Sequence, residues 1–152
     1  MKYDSKADTL DHIRRVNSLL LGCCANLQMR AHDHDQSKLV EPEKSVFDEH
    51  TEKLRGLTYG SDEYKASLAA LGPALQHHYA HNSHHPEHYD NGVMGMSLFD
   101  LLEMLMDWKA AGERHADGSI GASLAKNQAR FKIDPQLQAI LENTSREMCW
   151  GA

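Results

Sequence analysis

From Ser97 to Gly112 the chain reads as one helix that is apolar nearly all round, carrying Leu98, Phe99, Leu101, Leu102, Met104, Leu105, Met106, Trp108 and Ala110. A helix with so little polar surface is expected to be central and buried, enclosed by other elements. Ser97 with Asp100 matches a capping arrangement that fixes its start. Three acids, Asp100, Glu103 and Asp107, fall on one narrow stripe of this helix, at spacings of three and four. A carboxylate carried into an apolar interior is costly unless it is paired or binds a metal. Asp100 is sufficiently explained as a cap. For Asp107, halfway along the helix, metal ligation is favoured over an ion pair to Arg14 or Lys38.

The other segments show helical periodicity too. A first helix is predicted from about Thr9 to Arg30, with Asp8 as its cap. Its stripe of Leu10, Ile13, Val16, Leu20, Cys23, Cys24 and Leu27 should turn inward and carry His12 with it. Pro42, flanked by Glu41 and Glu43, suits the first turn of a helix running to about Leu57. Phe47, His50, Leu54 and Leu57 share one face of it. Thr58-Tyr59-Gly60-Ser61 reads as a loop. A helix from about Glu63 to His81 is interrupted at Gly72-Pro73. Gly118 to Arg130 forms a short helix, and Asp134-Pro135 opens a last one through about Met148. No alternating strand pattern and no linker occurs. The expectation is an all-α fold, a single compact bundle of about six helices over residues 1–152.

Composition narrows the function classes. A formal net charge of −6 disfavours a nucleic-acid polymer as partner, since a basic stripe is expected there. There is no apolar run of spanning length, so no membrane is expected as partner. The segment from Met1 to Lys6 lacks the apolar centre of a signal peptide. Cys23, Cys24 and Cys149 form neither a disulfide framework nor a Cys-x-x-Cys pair, which suits a reducing cytoplasm.

Six of the 11 histidines lie between His77 and His88. Imidazole is a good ligand for transition metals and a poor filler for an apolar interior. A purification tag is excluded, because the run is internal and mixed with Tyr, Asn, Pro and Glu. His78, His81 and His85 would continue one face if the helix persisted to Pro86. His77 and His88 read as solvated, or as standing behind the ligands. In chain order the polar signals are His12, then His34-Asp35-x-x-Lys38, then His84-His85, then Asp107.

That order resembles the HD superfamily of metal-dependent phosphohydrolases. His34-Asp35-Gln36-Ser37-Lys38 resembles the His-Asp-x-x-Lys segment of its HD-GYP branch. His84-His85-Pro86-Glu87-His88-Tyr89-Asp90-Asn91-Gly92 is similar to that branch's His-His-Glu segment with its following Asp-Gly, and Met106-Asp107-Trp108-Lys109-Ala110-Ala111 to its closing helix. The Gly-Tyr-Pro triplet is absent. The chain also resembles small phage and bacterial proteins with His-Asp-x-Ser-Lys, His-His-Pro-Glu and Asp-Trp-x-Ala segments. The likeness covers about residues 9–111, leaving 112–152 as C-terminal helices. His32-Asp33 is a rival pair, but only His34-Asp35 places Lys38 in the motif.

The resemblance implies an HD-like bundle and a site for one or two divalent transition metals. His12, His34 and Asp107 would form one part, with Asp35 able to bridge two metals through one oxygen each. His84 and His85, with His78, His81 or His50, would form the other. Histidine with carboxylate suits Mn, Fe, Co, Ni or Zn better than Mg or Ca. Lys38 would contact substrate phosphate, and Glu41 or Glu43 would serve in acid–base chemistry by analogy with HD nucleotidases. The implied function is hydrolysis of a small phosphate ester, a nucleotide among the candidates, in the cytoplasm (the host's, for a phage protein). Two alternatives are an HD-fold di-iron oxygenase and a non-catalytic, metal-stabilised phage regulatory protein. A homo-oligomer is compatible with all three.

Overall fold

The structure, a computed structural model, describes residues 3–55, 57, 61–114 and 118–150. The expected loop at Thr58-Tyr59-Gly60 and residue His115 lie outside them. All regular structure among the described residues is helical. Seven α-helices follow in order, α1 (Lys6–Asp33), α2 (Lys44–Arg55), α3 (Asp62–Ala70), α4 (Gly72–His81), α5 (Leu98–Gly112), α6 (Ile120–Phe131) and α7 (Pro135–Glu147). Short 3-10 turns at Gln36–Leu39, Pro86–His88 and Gly92–Gly95 join them. The all-α expectation holds. None of the described helices is long and apolar enough to cross a membrane.

The chain divides into two units, Met1–His34 and Asp35–Ala152. The first is essentially α1, a helix of 28 residues with none of them buried. Its stripe of Leu10, Ile13, Val16 and Leu20 is exposed, and so is His12, against the inward placement read from periodicity. The reason is that a lone helix has no second element of its own unit to cover an apolar face. It starts at Lys6 after Ser5, so Asp8 is not the cap. Asp8 lies in the first turn, where an acid complements the helix dipole.

The second unit has its core where α5, α6 and α7 pack in sequence. Met104, Leu105 and Trp108 of α5 meet Ile120 and Leu124 of α6, then Ile133 and Leu141. The α5 helix is thus buried on one side only, and Leu98 stays 77% exposed, a correction to the all-round burial expected from its composition. The α3–α4 break falls at Gly72, whose φ of 43° turns the chain and is easy only for glycine. Pro73 then occupies the first turn of α4. The α4 helix packs on the Gln36–Leu39 and Pro86–His88 turns. It thereby draws the segment after α1 and the histidine run to one place.

The long connection from α4 to α5 is anchored by Asp100, which is buried. Its carboxylate accepts from the Ser97 amide (2.8 Å) and hydroxyl (2.6 Å), from Ser83 (2.7 Å) and from the Tyr89 hydroxyl (2.9 Å). The first of these, with the Asp100 amide donating back to Ser97 Oγ at 3.2 Å, makes a capping box. Burial acts to raise its pKa, but these hydrogen bonds outweigh it and hold Asp100 well below the usual carboxylate range. Asp100→Ala removes the cap and leaves buried donors without an acceptor, so we expect a loss of about 3 kcal/mol in chemical denaturation. A loss below about 1 kcal/mol would show that the connection is held elsewhere.

Candidate metal centre

Four side chains from three segments converge in the second unit. Asp35 precedes the Gln36–Leu39 turn, His78 lies on α4, and His84 and His85 follow in the connection. The Asp35 backbone is left-handed, at φ 58°, a conformation that costs an L-residue roughly 1–2 kcal/mol and that Asp tolerates better than most. Its Oδ1 lies 3.3 Å from His78 Nε2 and 3.6 Å from His84 Nε2. His85 Nε2 lies 2.9 Å from His78 Nε2. All four ligand atoms fall within 4.8 Å of one another. Donors about 2.0–2.1 Å from one tetrahedral ion would sit roughly 3.3–3.4 Å apart, a value that the separations of 2.9, 3.3 and 3.6 Å bracket.

The protonation states fit as well. Burial pushes the His78 pKa down to about 4, helped by Lys38 and opposed by Asp35 and Glu43. Burial, with His84 and His78 adding to it, pushes His85 down to about 2. At neutral pH both rings are uncharged, the state that ligates a metal. His78 and His84 are almost wholly enclosed, at 1% and 2% exposure.

Behind these four side chains stands a layer of acids. Glu43, at the entry to α2, is 0% exposed. It accepts from His78 Nδ1 (2.9 Å), His77 Nδ1 (2.7 Å) and the Ser37 hydroxyl (2.9 Å). Burial acts to raise its pKa, but the hydrogen bonds from His77, Ser37 and His78 bring it below its ordinary value. Glu103 Oε1 lies 3.1 Å from His84 Nδ1. A carboxylate oxygen of Asp107 lies within 4.8 Å of one of Asp35. The α5 stripe therefore divides its labour. Asp100 caps, Glu103 meets a histidine, and Asp107 stands beside Asp35.

Of the nominated residues, the structure brings together Asp35, His78, His84 and His85, with Asp107 alongside. Lys38 Nζ pairs with Asp35 Oδ2 at 2.6 Å and lies over the Phe47 ring. His81 does not join them. It is exposed, its Nδ1 donates to the His77 carbonyl (2.8 Å), and its ring stacks on His77. The shared face expected for His78, His81 and His85 fails because α4 ends at His81. Asn82 there is extended, and its side-chain amide donates to the His78 carbonyl (2.7 Å). Glu41 is exposed and accepts from Ser45, so the enclosed acid of that pair is Glu43. His12 and His34 belong to the first unit. There His12 is exposed, and the half-buried His34 closes α1 through its amide on the Arg30 carbonyl (2.8 Å).

Glu43 was legible as an enclosed acid. It stands four and seven residues before Phe47 and His50, the spacing of one helical face. Asn82 carried no comparable signal.

No curated protein is similar to this chain, and no solved structure matches it. One family does match, a family of unknown function designated DUF5662, over residues 1–147. That span includes every residue of the centre, and the chain belongs to this family.

Proposed function

We propose that the protein is a metal-dependent phosphohydrolase, acting on a small phosphate ester such as a nucleotide. The observation that carries the reading is the convergence of three imidazole Nε2 atoms and Asp35 Oδ1 at separations that suit one transition ion. Asp35, His78, His84 and His85 would hold the ion. When bound it would act as a Lewis acid and make a water more acidic. Lys38, one third exposed beside Asp35, supplies a cation for phosphate oxygens. Asp107 adds a second carboxylate near Asp35, where it can orient a water or take a proton. The donor set favours Mn, Fe, Co, Ni or Zn over Mg or Ca.

One observation favours a second reading. Four protein donors around one point is also the closed arrangement of a structural site. The two readings differ in turnover. Protein purified without chelator should contain bound transition metal. With Mn or Co added, it should hydrolyse members of a panel of phosphomonoesters and nucleotides. Metal that only raises the melting temperature, with no turnover, supports the structural reading. Bound iron with oxygen consumption would replace hydrolysis by oxidation. His88→Ala should stay within about 0.5 kcal/mol of wild type and keep full activity, because the exposed ring donates to the Tyr79 carbonyl and meets the edge of Tyr89, away from the four converging side chains. An inactive variant would show that the centre extends to His88.

A further inference from the structure

Neither Glu43 nor Glu103 is needed to complete the four-donor set, yet both are placed on the far edges of its rings. Resting on the metal reading above, we infer that Glu43 and Glu103 are positioning residues that fix the tautomers of His78 and His84. They make the cluster ready for a divalent transition ion before one arrives. A neutral imidazole carries its proton on either nitrogen, and the bond made by one nitrogen decides the state of the other. A proton on Nε2 would block the lone pair that faces Asp35. Ligating histidines are commonly held against this by a carboxylate on the opposite nitrogen.

The hydrogen-bond directions around Glu43 leave little choice. The Asn82 side-chain amide donates to Ser37 Oγ at 2.8 Å. Asn82 Nδ2 also lies 3.0 Å from His78 Nδ1, but its two protons go to nearer acceptors, the His78 carbonyl at 2.7 Å and Ser37 Oγ. Ser37 therefore gives its own proton to Glu43 Oε2, 2.9 Å away. His78 Nδ1 meets the same oxygen at 2.9 Å, and His77 Nδ1 meets Oε1 at 2.7 Å. An ionised carboxylate only accepts, so both rings carry their protons on Nδ1. The Nε2 lone pair of His78 then faces Asp35 Oδ1 and His85. Glu103 does the same for His84 from α5, at 3.1 Å. Two segments distant in sequence, the entry to α2 and α5 itself, thus address two rings independently. Glu43 touches His78 on the edge opposite the cluster, so it acts through that ring and not on a bound ion.

Glutamine keeps the shape of either acid but offers one accepting oxygen and one donating amide. Metal-free protein labelled with 15N at histidine reports tautomers by NMR. We expect the Nδ1–H form at His78 and His84 in the wild type. Glu43→Gln should disturb His78 and leave His84, and Glu103→Gln should do the reverse. Each should weaken zinc binding about 10- to 100-fold in a chelator competition. Glu103 is partly exposed, so Glu103→Gln tests the inference even if the Glu43 variant fails to fold. An Nε2–H form at either ring in the wild type would overturn it, as would wild-type zinc affinity in Glu103→Gln. Wild-type protein that binds neither zinc nor cobalt would instead remove the metal reading, and the tautomers would still decide the positioning.

Discussion

Asp35→Asn is expected to abolish hydrolysis and to lower metal affinity by more than the roughly 10–100-fold that loss of a supporting partner costs. The substitution is chosen for what it preserves. Asparagine also tolerates the left-handed backbone at this position, so the turn into Gln36–Leu39 should survive. What disappears is the anion. Asp35 Oδ1 faces His78 and His84, while Oδ2 holds Lys38. An amide cannot serve both as a metal oxygen and as the partner of an ammonium. Lys38 would then be left near two neutral imidazoles with less to hold it. Asp107→Ala should also abolish activity and lower metal content, since Asp107 stands beside Asp35. Metal analysis and circular dichroism on the same samples give the check. Full metal occupancy in both variants, with the fold intact, would remove Asp35 and Asp107 from the centre.

The second large effect concerns acid. Metal-free protein should lose stability steadily as pH falls below 6.5. His78 and His85 have folded pKa values of about 4 and about 2, against 6.5 for the free side chain. Both are depressed, so the unfolded chain takes up protons first. Their contribution is complete above 6.5 and drains away as pH falls toward the folded values. For His78 alone the window from 6.5 to about 4 corresponds to on the order of 3 kcal/mol. That is a large part of the roughly 5–15 kcal/mol typical of a whole domain. Glu43, whose pKa is lowered, adds a loss of the same sign at pH below its ordinary 4.5. A metal at 100 times its dissociation constant should add about 2.7 kcal/mol near neutrality. The benefit should shrink as protons compete for the same nitrogens. Thermal melts across this range, with and without zinc, test both parts. A melting temperature that does not change between pH 6.5 and 4 in the metal-free protein would contradict the enclosure of His78 and His85.

Much of this was legible from residue order. The all-α class, the start of α5 at Ser97, the start of α7 at Pro135 and the break at Gly72-Pro73 followed from local chemistry that tertiary packing did not override. That Asp35 meets His78, His84 and His85 was legible in part: the density of the run set its histidines apart, but which of them reach Asp35 depended on where α4 ends. Two kinds of information were not local. Periodicity says that α1 has an apolar face but not that anything covers it, and none of its residues is buried. Helical extrapolation carried His81 with His78, but Asn82 ends α4 by giving its amide to the His78 carbonyl. Whether a chain leaves a helix there depends on a tertiary contact with Ser37, which no window around Asn82 contains.

The division of labour along α5 has an evolutionary consequence. Asp100, Glu103 and Asp107 act on three different targets from one rigid rod. An insertion or deletion of one residue between Asp100 and Asp107 would swing the downstream acids by about 100° around the axis. Capping, histidine orientation and the Asp35 neighbourhood could not then be kept together. Length variation among relatives should therefore avoid this interval and collect at its ends, in the loop before Ser97 or beyond Gly112. Substitution of the individual acids is a milder change than any shift of their register.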